Sequence, residues 1–437
     1  MPQRLALLAY GVLMRLLVPP LLMRLWWRAR QEPLYGQAMP ERLGFGPATP
    51  PGAVWLHAVS LGETRAAEPL IQALRQLYPQ VPLLLTHGTA TGRAAGATLL
   101  GPADHQCWLP LDTPGATRRF LQRHRPALGI LMETEVWPRL LHEAQRAAVP
   151  VVLANARLSE KSLRQSLRFD ALLRPAAASL AQALAQTEAD ALRLRLAGVR
   201  HVRVAGNLKF DQRPSPELLA AGESWSAGLA RPVVLAASWR EGEDAPLLAA
   251  WRRLLDRRAA ADKGQPEPLL LLVPRHPQRF DEVARLVSDA GLTLVRRSTW
   301  GGGGPGALAR QAQVWLGDSL GEMPSYYACA HAALLGGSFA PLGGQNLIEA
   351  AACACPVFMG PHTFNFVQAA EGAIAAGAAW RCADLDVAVA AACALAERSG
   401  ARAQAGTAAR AYAGQDQGAA LRMAEAMRRL ISPTAAR

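Results

Sequence analysis

Between Asp318 and Phe366 the residue order leaves few options for the fold. An apolar run, Ala332 to Leu335, ends in Gly336-Gly337-Ser338, and a second glycine pair, Gly343-Gly344, follows. The pattern predicts a helix opening at Gln345-Asn346-Leu347-Ile348-Glu349-Ala350, then a strand, Pro356 to Met359, stopped by Gly360-Pro361. Strand, glycine turn, helix and strand in this order form the repeating unit of a parallel sheet. A helix start offers unpaired N–H groups and a positive dipole end, so it is a ready anion site. Glu349, about one turn in, is placed to accept hydrogen bonds from a ribose diol. Two readings fit: a nucleotide-sugar site at the carboxyl ends of parallel strands, or an ordinary β–turn–α unit with glycines only for tight turning.

The same alternation runs through the chain. Val54 onward (VWLHAVS), the VPLLLTHGT segment, Leu128–Met132, Val149–Ala154, Ala183–Gln186 and Val202–Ala205 read as short buried strands separated by helical stretches. The pattern restarts at Pro232–Ala237, Leu269–Val273 and Val314–Leu316. With 437 residues, one core is too small a container, and two α/β domains are expected. The expected boundaries are a helical segment over 1–50, a first domain over 51–210, a linker over 211–231 and a second domain over 232–410. A C-terminal helix is expected over 411–437, one that can cross back to the first domain, and Gly301–Gly306 is expected to be a mobile loop.

The net charge is +13, carried almost wholly by arginine, since only Lys161, Lys209 and Lys263 are lysines. Arginine grips phosphate bidentately, so the excess points to a phosphorylated substrate, an anionic lipid surface or nucleic acid. The basic residues are dispersed and lack aromatic interleaving, which disfavours nucleic acid. Cys107, Cys329, Cys353, Cys355, Cys382 and Cys393 have no CxxC spacing and sit mostly in apolar contexts, as reduced core residues do.

Residues Leu5 to Trp27 are apolar but interrupted by Arg15, Pro19-Pro20 and Arg24. A central arginine and a Pro-Pro pair argue against a clean spanning helix. A helical hairpin or an interfacial helix is expected, with Trp26-Trp27 and the arginines at headgroup level, and a single-pass anchor is the second choice.

The segments GGSF, GGQNLIEA, PVFMGPHTFNF and LVPRHPQRF together resemble the Kdo transferases, which move 3-deoxy-D-manno-octulosonic acid (Kdo) from its CMP conjugate to a lipid A precursor. The resemblance extends from the amino terminus to about Phe366. It implies a GT-B fold, two facing Rossmann-like domains, with an N-terminal membrane-associated helical segment at the cytoplasmic face of the inner membrane. CMP-Kdo and lipid A precursor are the implied partners, with the membrane surface and without nucleic acid. No cofactor or metal is implied.

The resemblance also assigns roles. Glu63, in SLGE, would be the base that takes the acceptor hydroxyl's proton, and Glu133, in METEVWP, and Lys209, in GNLKFD, would stabilise the transition state. Read without the resemblance, two roles stay open for each: Glu63 is a base facing a cleft or a carboxylate on a helix dipole, and Lys209 a phosphate or substrate contact or a linker charge. Glu133 and Glu135 form a carboxylate pair that, treated as strand residues, should point to opposite sides. Pro274 and Arg275, then Leu320, Gly321 and Glu322, and Gly343, Gly344, Asn346, Leu347, Ile348 and Glu349 would bind the CMP donor. Arg93 and Arg157 are candidates for the acceptor's phosphates. Two departures stand out: Gln345 where the family motif often has His, and Ser238-Trp239-Arg240 where Ser/Thr-Thr-His is frequent. Asp384-Leu385-Asp386 reads as a helix start, not a metal motif. The rivals are another GT-B enzyme, such as a UDP-sugar epimerase or lipid A disaccharide synthase, and a non-catalytic basic membrane-binding protein.

Overall fold

A computed structural model describes residues 2–261, 264, 266–301 and 304–431. The chain divides into two compact units, Met1–Asp211 with Asp416–Arg437, and Gln212–Gln415. Part of the glycine loop expected over Gly301–Gly306, namely Gly302 and Gly303, and the last six residues of the expected C-terminal segment lie outside the described residues.

Unit 1 is built on seven parallel strands: β1 (Val54–His57), β2 (Leu83–His87), β3 (His105–Trp108), β4 (Leu128–Met132), β5 (Val151–Ala156), β6 (Gln182–Ala185) and β7 (Val202–Val204). Their order is β3-β2-β1-β4-β5-β6-β7, so the connections reverse direction between β1 and β4. Both faces are buried, as period-2 side chains on a covered parallel sheet require. Val54, Leu56, Leu128 and Ile130 enter one apolar cluster, while Trp55 and Leu131 enter another. Gly129 lets β4 pass beneath the Trp55 indole, since a Cβ there would stand 2.8 Å from the ring. The helix Ala419–Ala426 covers the first face through Met423, which is fully buried.

Unit 2 repeats the plan with β8 (Val233–Trp239), β9 (Leu269–Pro274), β10 (Leu294–Arg296), β11 (Val314–Leu316), β12 (Ala332–Leu335), β13 (Val357–Met359) and β14 (Ala379–Arg381), ordered β10-β11-β9-β8-β12-β13-β14. The strands the sequence did not signal, β3, β10 and β14, each lie at a sheet edge. An edge strand pairs on one side only and needs less apolar patterning.

One expectation fails locally and another is narrowed. The stretch 211–231 contains the helix Pro216–Ala227, capped by Ser215 and packed on the helix Met323–Cys329. Gly222 makes that packing possible, because a Cβ there would lie 2.1 Å from the Ser325 carbonyl oxygen. At the amino terminus there is no hairpin. One helix of 27 residues, Pro2–Arg28, runs through Pro19 and Pro20. The pair removes two backbone donors and crowds the carbonyls four residues back, yet the helix is continuous through it. At about 1.5 Å per residue it is long enough to cross a bilayer, and its 18-residue window has a mean hydropathy of 1.9 with 6% of it buried. The Tyr10 hydroxyl donates to Asp112 at 2.9 Å, and Asp112 in turn caps the helix Pro138–Arg146 by accepting from Arg139 and Leu140 N–H.

Candidate active site

In unit 1 the carboxyl ends of the strands gather Glu63, Glu133, Glu135, Arg157 and Lys209. Glu63 lies in the first turn of the helix Leu61–Leu77, which follows β1. The N-cap Ser60 accepts from Glu63 N–H at 3.4 Å, and the Ser60 hydroxyl donates back to the Glu63 carboxylate at 3.1 Å. The other carboxylate oxygen accepts from Val59 N–H at 2.8 Å. This reciprocal cap fixes the side chain. Burial nonetheless pushes its carboxyl up to about 7, against the Val59 hydrogen bond and with repulsion from Glu133 and Glu135 added.

Glu133 directly follows β4 with φ 57°, a left-handed conformation unusual outside glycine, and its N–H donates to the Ala154 carbonyl. Glu133 and Glu135 therefore occupy a turn, where strand alternation does not apply; both carboxylates act on Glu63. Burial raises the Glu135 carboxyl, and the neighbouring Glu133 adds to the rise. Arg157, just past β5, pairs with Glu133 at 3.2 Å. Lys209 sits in the short 3-10 helix Leu208–Asp211 inside unit 1. Burial lowers its ammonium, while Glu133 and Glu63 raise it and Arg157 lowers it further. Asn155 positions this turn. Fully buried at φ 52°, it accepts from Leu208 N–H at 3.1 Å. Sequence reading passed over it because its side chain works on the backbone.

Arg93 is not brought to this cluster. It pairs with Glu41 at 2.9 Å and lies over Trp108 beside Arg42, in a packed group with Tyr35.

Unit 2 holds the other predicted residues. Pro274 ends β9 and exposes Arg275, whose N–H donates to the Trp239 carbonyl. Leu320 is exposed, and Gly321 has φ 84° with open space at its Cβ position. The Glu322 carboxylate is engaged by Arg297 at 2.7 Å and by Ser319. Gly343 and Gly344 have φ of 91° and 77°, and a Cβ on Gly343 would strike the Asn365 amide at 2.1 Å. The helix expected from Gln345 begins at Ile348 and runs only to Ala352, because the Asn346 side chain accepts the Ile348 N–H and holds 345–347 in a turn. So short a helix has little dipole, and the anion site expected there rests on loop backbone alone. Asn346 and Leu347 thus lie in the loop while Ile348 and Glu349 open the short helix, with Leu347 and Ile348 buried.

A residue outside the expected set organises this loop. Glu243, 1% exposed, accepts from the N–H groups of Arg240 (3.3 Å), Gly337 (2.6 Å), Phe339 (3.0 Å) and Ala340 (2.9 Å). Ser338, also buried, donates to Leu335 O and accepts from Gly360 N–H. The two departures from the family pattern meet here, since Arg240 and Gln345 side chains both lie 3.4 Å from a Cβ position on Gly337. Trp239 is a fully buried core residue packed near Phe339. Asp384 caps its helix, accepting from Val387 N–H, and Asp386 pairs with Arg253.

Residues 37–212 match the family described as 3-Deoxy-D-manno-octulosonic-acid transferase (kdotransferase). The 3-deoxy-D-manno-octulosonic acid transferase of Bordetella pertussis is 49% identical over 428 residues, spanning 96% of this chain and 98% of that protein. The chain belongs to the Kdo transferase family. The Kdo transferase of Haemophilus influenzae is 37% identical over 77% of this chain and 78% of its own. Among solved structures, Anabaena HepE in complex with UDP-glucose matches 86% of this chain and 99% of its own with TM-score 0.56 at 14% identity. The putative UDP-N-acetylglucosamine 2-epimerase from Listeria monocytogenes matches 86% and 96% with TM-score 0.55, also at 14% identity. At such identity these two establish the α/β GT-B fold alone. The protein is a Kdo transferase of lipopolysaccharide biosynthesis.

Proposed function

We propose that this Kdo transferase moves Kdo from CMP-Kdo to a tetraacylated, bisphosphorylated lipid A precursor with Glu63 as general base. The observation that carries the reading is the Glu63 carboxyl, fixed by Ser60 and Val59 and pushed up to about 7. A base with that affinity for protons is half ionised near neutrality and still accepts one readily. Glu63 takes the proton of an acceptor glucosamine hydroxyl as its oxygen bonds to the Kdo ketosidic carbon. The bond from that carbon to the CMP oxygen breaks, and CMP leaves with the electron pair. One displacement inverts the anomeric configuration.

Around this step, Glu133 and Lys209 act as paired charges that stabilise the transition state, with Arg157 holding Glu133. Arg157, 45% exposed beside the carboxylate cluster, remains the better of the two arginines for an acceptor phosphate, because Arg93 is packed over Trp108 away from it. In unit 2, Arg275, the exposed Leu320-Gly321 backbone and the 343–349 turn take CMP. The apolar, exposed helix Pro2–Arg28 supports a seat at the cytoplasmic face of the inner membrane, next to the lipid acceptor.

The deciding assay is Kdo transfer to the tetraacyl acceptor by wild type and Glu63→Ala. Product from wild type, with a loss of roughly two or more orders of magnitude in the variant and CMP binding retained, is expected. Full activity of the variant would move the base to Glu133.

A further inference from the structure

Beside the carboxylate turn, unit 1 opens an apolar groove of about 260 Å³. Its floor is Leu153, Leu158 and Leu194, all buried, and Phe169 stands 58% exposed at its rim. Thr134 and Val136 form one end, and they belong to the turn that carries Glu133 and Glu135. Another wall is the helix Asp170–Ala178, which packs against the N-terminal helix Pro2–Arg28. One side of the groove is therefore continuous with the proposed reaction site. Another touches the element whose apolar side chains, Leu13 and Leu16 among them, are exposed as a bilayer would have them.

We propose that this groove binds one acyl chain of the acceptor lipid, and so selects for acylated acceptors. The proposal rests on the lipid acceptor argued above. The apolar lining, the adjoining carboxylate turn and the packing of its wall on the exposed apolar N-terminal helix favour an aliphatic chain. The helix Glu160–Arg168 closes the remaining wall with Ser162 and Ser166, and it carries exposed Lys161, Arg164 and Arg168. Each methylene moved from water into the groove strengthens binding by about fourfold, so chain length is read as affinity.

Ser166 is half-buried on a helix without buried side chains, so Ser166→Trp fills the groove without entering the core. Kinetics with the tetraacyl acceptor and with its deacylated disaccharide bisphosphate test the idea in the full-length enzyme. Ser166→Trp is expected to raise KM for the tetraacyl acceptor by roughly tenfold or more, about the value of two methylenes. KM for the deacylated acceptor and for CMP-Kdo should stay within about twofold of wild type. Leu173→Ala, which widens the wall, should shift preference toward longer chains. Equal KM changes for both acceptors, or none, with an unchanged melting temperature in Ser166→Trp, would overturn the proposal. Should wild type transfer no Kdo, the functional reading fails by itself. Displacement of a fluorescent fatty acyl probe by the tetraacyl disaccharide then still decides the groove: binding lost in Ser166→Trp supports it, binding retained rejects it.

Discussion

At the scale of single residues, Glu63 concentrates the chemistry and its cost. Burial first, then Glu133 and Glu135, hold its carboxyl near 7 against an ordinary 4.5. The base works only when ionised, so kcat/KM is expected to rise with pH through about 7 and then level. Removing a like charge should lower that carboxyl, so Glu133→Gln or Glu135→Gln moves the acid limb of the profile to lower pH. Stability runs the other way. As pH rises from 4.5 the unfolded chain releases this proton first, so the folded state binds more protons and loses stability up to about 7. Glu63→Gln escapes that loss. Its unfolding free energy relative to wild type, read from denaturant titrations, should improve between pH 5 and pH 8, by at most on the order of 3 kcal/mol.

At the scale of elements, the glycine loop after β12 is held from below by one carboxylate. Glu243 accepts from the backbone N–H groups of Arg240, Gly337, Phe339 and Ala340, with both oxygens in use. A glutamine offers one oxygen and sets an amide NH₂ against N–H donors, so Glu243→Gln should cost about 2–3 kcal/mol of stability. It should also raise KM for CMP-Kdo more than it lowers kcat, measurable by steady-state kinetics and CMP titration. Gly343→Ala is expected to act in the same direction, since φ of 91° and the Asn365 amide both oppose a Cβ. The glycines of this stretch were legible in the sequence, and so was the strand before them. Glu243 was not, because a carboxylate some 94 residues upstream of Gly337 carries no local sign of what it binds.

At the scale of the molecule, the last described helix belongs to the first unit. Met423 fills the core beneath β1 and β4 with no exposed surface, so Met423→Ala should destabilise unit 1 by about 2–4 kcal/mol. Differential scanning calorimetry would read this as a lower transition for unit 1 with that of unit 2 unmoved. At the other end, Leu13 and Leu16 are 52% and 70% exposed on an apolar helix. Leu13→Glu with Leu16→Glu should cut co-sedimentation with anionic vesicles by about tenfold or more and leave CMP affinity intact.

The sequence alone determined the α/β class, the succession of buried strands and the family, because apolar runs closed by glycine carry their signal within a few residues. The family motifs likewise carried Glu63, Glu133, Lys209 and the 343–349 segment as candidates. Tertiary structure decided what depends on distance across the chain. It joined Glu63, Glu133, Glu135, Arg157 and Lys209 in one electrostatic cluster, drawn from the ends of β1, β4, β5 and β7. It sent Arg93 to Glu41, shortened the helix after Gly344, and turned the expected linker into a packed helix. A charged side chain's partner is set by the fold of segments far apart in the chain, and local periodicity holds no record of that partner.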